Sequence, residues 1–202
     1  MYGSKLLNSV VVAVMLAFSS AANAAVYDFG SLLASDWSGA PTSATFATLQ
    51  ANDTGNGVWA FRLDVNSTLF ATFGTGSFIS TLKFDFSPDP VGTPVSTFVA
   101  SNGITSADLK TVNGDSSRGV GFDFGTDFGK KDANRLVENE YVEWTVSGLG
   151  TSNLTNMYVH VQGIDGGYSA KYTPVTPVPE PETYAMLLAG LGLIGFSARR
   201  KA

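Results

Sequence analysis

Three observations predict an all-β body, built as an antiparallel β-sandwich or jelly roll. Apolar and polar residues alternate with period two through most of the middle of the chain, clusters of Gly, Asn, Asp and Pro separate the alternating runs, and no long stretch carries helical spacing. The composition agrees, with 12% aromatic residues, 22 glycines among 202 residues and no cysteine. Lack of cysteine excludes a disulfide framework, thiolate metal sites and thiol catalysis, so stability must come from burial in a core.

Taken in order, Val26 to Leu33 is the first, short candidate strand. Trp59, Phe61, Leu63 and Val65 then alternate with Ala60, Arg62 and Asp64, and Leu69 to Phe73 repeats the habit, which predicts two neighbouring strands joined near Asn66-Ser67. Phe78, Ser80, Leu82, Phe84 and Phe86 share one face of the next run, which Ser87-Pro88-Asp89-Pro90 ends with turn chemistry. Shorter candidates come next at Val95 to Ala100 and Gly119 to Phe124, with one helical turn expected near Ser106 to Lys110. Val142, Trp144 and Val146 oppose Tyr141, Glu143 and Thr145, while Met157, Val159 and Val161 oppose Tyr158, His160 and Gln162. Tyr168 to Tyr172 closes a set of about nine strands, the number a sandwich or jelly roll needs.

Both ends read as processing signals. Lys5, the apolar run from Leu6 to Phe18 and the small residues Ala22, Ala24 and Ala25 have the order of a secretory signal, with cleavage expected after Ala24 and export by the Sec machinery. At the other end, Val178-Pro179-Glu180-Pro181 precedes an apolar segment from Thr183 to Ala198 and the basic residues Arg199, Arg200 and Lys201. As a helix that segment covers about 24 Å at ~1.5 Å per residue, short of a hydrocarbon core of about 30 Å, so it spans only with snorkelling ends or a thinned bilayer. The basic flank orients it with the tail in the cytoplasm. Gly190, Gly192 and Gly195 fit G-x-G-x-x-G, but neither the strand before it nor the later acidic residue of a dinucleotide site accompanies them, so they read as a thin face for helix packing. The predicted organisation is a signal peptide at 1–24, a β body at 25–172, a Pro-rich linker at 173–182 and a membrane helix with basic tail at 183–202.

This tail resembles the PEP-CTERM sorting signal of Gram-negative bacteria in its motif at Val178 to Tyr184, its Gly-rich apolar helix and its basic end. The resemblance implies recognition by an exosortase near Pro179-Glu180-Pro181, transient residence in the inner membrane, and delivery to the cell surface or the extracellular polysaccharide matrix. The stretch from Gly119 through Gln162 also looks like the C-terminal half of β-rich bodies found ahead of such tails, a likeness that bears on fold class alone.

Chemistry is sparse. The chain has 12 Lys and Arg against 17 Asp and Glu, a formal charge of −5, and four of the basic residues (Lys5, Arg199, Arg200, Lys201) lie in the terminal signals. So acidic a body argues against nucleic acid, whose binding rests on phosphate neutralisation. His160 is the single histidine and no G-x-S-x-G elbow accompanies it, which leaves a Ser-His-Asp triad without a frame. Glu138, Glu140 and Glu143 are the body's glutamates; as a glycosidase pair they would need to face each other across a cleft, and a solvated strand edge is the plainer reading. Asp115, Asp123, Asp127 and Asp132 in a Gly-rich segment are weak Ca²⁺ candidates, since neither an EF-hand loop nor a G-G-x-G-x-D repeat is present. Trp37, in Ser35-Asp36-Trp37-Ser38-Gly39, is the one tryptophan in a polar loop and the candidate sugar platform, with Trp59 and Trp144 assigned to the core. The chain therefore reads as an exported, non-enzymatic structural or interaction protein without cofactor, with a carbohydrate-binding module associated with exopolysaccharide as the alternative and an exported hydrolase third.

Overall fold

The computed structural model describes residues 24–111, 122, 124–129, 131 and 134–175. Among the described residues, ten strands and one helical turn run in order: β1 (Ala24–Ser35), β2 (Ser43–Gly55), β3 (Val58–Val65), α1 (Leu69–Phe73), β4 (Phe78–Ser87), β5 (Val95–Ser101), β6 (Asp108–Thr111), β7 (Phe124–Asp127), β8 (Tyr141–Ser147), β9 (Asn153–Ile164) and β10 (Tyr168–Pro174). The all-β, antiparallel expectation holds. The division into two packed sheets does not, because all ten strands join one sheet in the order β5-β8-β3-β2-β1-β10-β9-β4-β7-β6. The link is β1, which pairs with β2 on one side and β10 on the other, and register shifts at Phe29/Ser31 and Leu32/Ala34 bend it. Further shifts in the β4–β9 and β5–β8 pairs add curvature, and the sheet rolls into a nearly closed barrel.

The seam lies between the end strands β5 and β6. There the Ser96 hydroxyl donates to the Ala107 carbonyl at 3.1 Å and accepts from the Leu109 N–H at 3.1 Å, so one side chain bridges where a backbone ladder would run.

The interior is filled by aromatic rings. Phe61 stacks on Trp144 at 5.2 Å and on Phe84 at 5.8 Å, Trp59 packs on Phe61 and Phe86, and Phe124 closes on Phe84 and Phe86. Strands β3 and β8 supply this column through unbroken alternation of buried and half-buried residues, which bears out Trp59 and Trp144 as core. A second aromatic group, Phe46, Phe73 and Tyr172, fills the space beneath α1 with ring centroids 5.0 to 5.4 Å apart.

Four elements differ from expectation. Strand β2 falls in a stretch that carries no predicted element, because its inward residues include the small Ala47 and Ala51, which give alternation little contrast. Leu69 to Phe73 is a helical turn and not a strand. A five-residue run satisfies both periods, and here Leu69 and Phe73 are buried at i, i+4 spacing while Asn66 Oδ1 accepts from the Thr68 N–H and the Glu138 carboxylate accepts from the Phe70 N–H at 2.9 Å. The turn predicted near Ser106 to Lys110 is instead the start of edge strand β6, fixed by its pairing with β7 and by an ion pair between Lys110 and Asp127. The strand expected at Gly119 to Phe124 is observed at Phe124–Asp127; positions 119–121 and 123 lie outside the described residues. β10 also runs through Thr173 and Pro174, the first two residues of the expected linker.

Tyr172 gives the body a pH signature. Its ring is fully buried and its hydroxyl donates to the Pro41 carbonyl at 3.0 Å, and burial pushes its pKa up to about 12. An unfolded tyrosine ionises near ~10, so the stability held by the neutral phenol is complete below that pH and is lost as pH rises from there through about 12. Denaturant midpoints measured across this range are expected to fall less steeply in Tyr172→Phe than in the wild type.

Candidate functional site

Antiparallel register decides which side chains share the outer face of the sheet. Asn52 stands opposite Ala60, Gln50 opposite Arg62, Arg62 opposite Glu143, and Ala60 opposite Thr145. Each of these neighbours an inward residue such as Phe61 or Trp144, so the buried core forces this polar row outward. Together with Val99 of β5 they line a groove of about 350 Å³.

Arg62 is the centre of its charge pattern. Its Nε donates to Asp64 at 2.8 Å, Nη2 to Asp64 at 2.7 Å and Nη1 to Glu143 at 2.6 Å, and its guanidinium lies 4.1 Å from the Tyr141 ring. The hydrogen bond to Asp64 is the largest influence on its pKa and raises it above the usual arginine range; burial opposes this, and the hydrogen bond to Glu143 adds to the rise. A planar fork holding two carboxylates is thus fixed on the strand face, its positive charge already neutralised.

Trp37 sits elsewhere, in the loop after β1. The Ser35 hydroxyl accepts from the Trp37 N–H at 2.9 Å and donates to the Ser169 carbonyl at 3.0 Å, while Asp36 accepts from the Ser169 N–H at 2.6 Å. These bonds pin the loop to the start of β10. The indole is partly buried against the core and lies so close over Gly39 that a Cβ there would meet it at 2.9 Å. A shallower depression of about 240 Å³ adjoins this loop, lined by Asp36, Ser169 and Lys171 among others.

The remaining candidates have structural partners. Glu138 caps α1, and Glu140 Oε2 accepts from the Val137 N–H at 2.9 Å, so both carboxylates bind backbone donors. Asp127 accepts from the Thr81 hydroxyl at 2.9 Å and pairs with Lys110, which raises the Lys110 pKa chiefly through that hydrogen bond. Among the described residues no group of three His, Asp or Glu side chains is placed to hold a metal. Asp115, Asp123 and Asp132 lie outside the described residues, as do Ala22 of the signal and Val178, Pro179, Glu180, Pro181, Arg199, Arg200 and Lys201 of the tail. His160 is half-buried on β9, its carbonyl accepting from Ser80 Oγ at 3.2 Å. Ala24 and Ala25 open β1, opposite Asn52 and Ala51.

The groove escapes a sequence reading because its residues come from four strands, and β2, which supplies Gln50 and Asn52, carries too little contrast to be seen.

The last strand of the body runs alongside the first. Pro174 pairs with Phe29, and the Val175 N–H donates to the Asp28 carbonyl at 2.8 Å, so β10 ends beside the middle of β1. The segment beyond Val175 defines the class of the protein: residues 177–201 match the family model of the PEP-CTERM protein-sorting motif. The chain is a PEP-CTERM domain-containing protein, and the motif supports an exported, membrane-passing product sorted by an exosortase. No curated protein and no solved structure matches the chain. Among the described residues no helix is long and apolar enough to cross a membrane, and the apolar segment from Thr183 to Ala198 lies outside them.

Proposed function

We propose that this protein is a non-enzymatic structural or interaction component of the cell surface or extracellular matrix, held briefly in the inner membrane by its C-terminal segment and cut near Pro179-Glu180-Pro181. The sorting motif at residues 177–201 carries this reading. Two features of the body support it. The last strand, β10, ends beside Asp28 and Phe29 of the first strand, so the end of the body that leads toward the sorting motif is held by the sheet. The interior is packed with rings, and the carboxylates of Glu138 and Glu140 are spent on backbone caps.

Intact mass and cell fractionation in the native host test the reading, comparing wild type with a Pro179→Ala/Glu180→Ala double variant. The wild type is expected outside the inner membrane, without residues 1–24 and without its tail, and the double variant uncut in the membrane. Uncut tails in both would make the segment a permanent anchor and remove the exosortase from the account.

A further inference from the structure

The geometry points to the outer-face groove of β2, β3, β8 and β5 as a binding site for a neutral saccharide, one sugar unit of a longer chain lying across the strands. Its size, about 350 Å³, falls at the lower end of the ~300–1,000 Å³ of small-ligand sites. The floor and one wall are small and apolar, Ala60 and the exposed Val99, where the C–H face of a sugar ring can rest. Around them stand the two amides of Gln50 and Asn52, the Thr145 hydroxyl and the Glu143 carboxylate, a mixture of donors and acceptors suited to hydroxyl groups, each of which both donates and accepts.

Charge selects against the alternatives. Arg62 is bound by Asp64 and Glu143, so the groove carries no spare positive charge for a phosphate or uronate. Glu143 engages Arg62 through Oε1, which leaves Oε2 to accept from a ligand hydroxyl. Asn52 adds a polar atom in need of a partner: its Oδ1 is buried and receives no hydrogen bond, a cost that a hydroxyl reached by a small side-chain rotation would relieve. The site does not depend on tail cleavage, so its test and the sorting test fail separately.

Affinity electrophoresis of the full-length chain in detergent, through gels holding galactomannan, dextran or alginate, decides the matter. The wild type is expected to be retarded by at least one of the two neutral polymers and not by alginate. Ala60→Tyr, which fills the floor with a residue well suited to an exposed strand, and Asn52→Ala are each expected to weaken that retardation at least tenfold, with urea unfolding confirming that both fold. Should Ala60→Tyr fail to fold, Asn52→Ala decides alone. Trp37→Ala is expected to bind as the wild type. Absence of retardation by both neutral polymers, retardation by alginate alone, wild-type binding by the folded groove variants, or loss of binding in Trp37→Ala alone would each overturn the assignment.

Discussion

Trp144→Ala is expected to destabilise the barrel by about 3–5 kcal/mol, the range for removing a large buried aromatic. The indole is 1% exposed and touches Phe61 at 5.2 Å and Phe128 at 5.5 Å, so its loss opens the middle of the ring column and not its edge. Its neighbours are held by strand pairing on both sides of β8 and cannot collapse far into the space. A domain of this size has a total stability of roughly 5–15 kcal/mol; the variant should therefore melt far below the wild type in a urea titration followed by near-ultraviolet circular dichroism. A shift of less than about 1 kcal/mol would mean that the column is loosely packed, contrary to its stacked rings.

Gly57→Ala is the second large effect, and Gly55→Ala is its control. Asn56 and Gly57 form the two-residue turn between β2 and β3 with φ of 56° and 71°, the left-handed pair that a tight hairpin of this twist requires. At Gly57 an added Cβ would also come within 2.5 Å of the Gly150 nitrogen, and the Gly57 carbonyl accepts from the Leu149 N–H at 3.0 Å, so the β2–β3 turn is locked against the turn after β8. Backbone strain of about 1 kcal/mol adds to an overpacking cost of about 1–3 kcal/mol. Gly55 has φ of 86° but open space around it, so Gly55→Ala should show the strain alone. The difference between the two denaturant midpoints measures the steric lock; equal shifts would show that the Leu149–Gly150 turn moves aside freely.

The hairpin explains why the strongest overlooked element was within reach. Asn56-Gly57 is a sharp hairpin signal, and reflecting the alternation of Trp59 to Val65 across it places Ala47, Leu49 and Ala51 opposite inward partners. Alanine has too little hydrophobic contrast to announce a strand, so composition hid what turn chemistry marks. In α1 the failure ran the other way: Leu69, Ala71 and Phe73 alternate as a strand would, and only the Glu138 carboxylate, reaching from far along the chain, satisfies the N–H that makes a helical turn stable there.

By itself the sequence determined the sorting motif, the all-β class and most strand positions, because each depends on order along the chain: proline ahead of an apolar run, a charged end behind it, alternation with period two. The tertiary structure alone decided that the strands form one rolled sheet, that β1 lies between β2 and β10, and that Gln50, Asn52, Arg62, Glu143 and Thr145 meet in one groove. Those outcomes come from long-range register. Which strand lies beside which is set by how the aromatic column packs and by where β1 bends, and no local pattern of residues encodes the sum of those contacts.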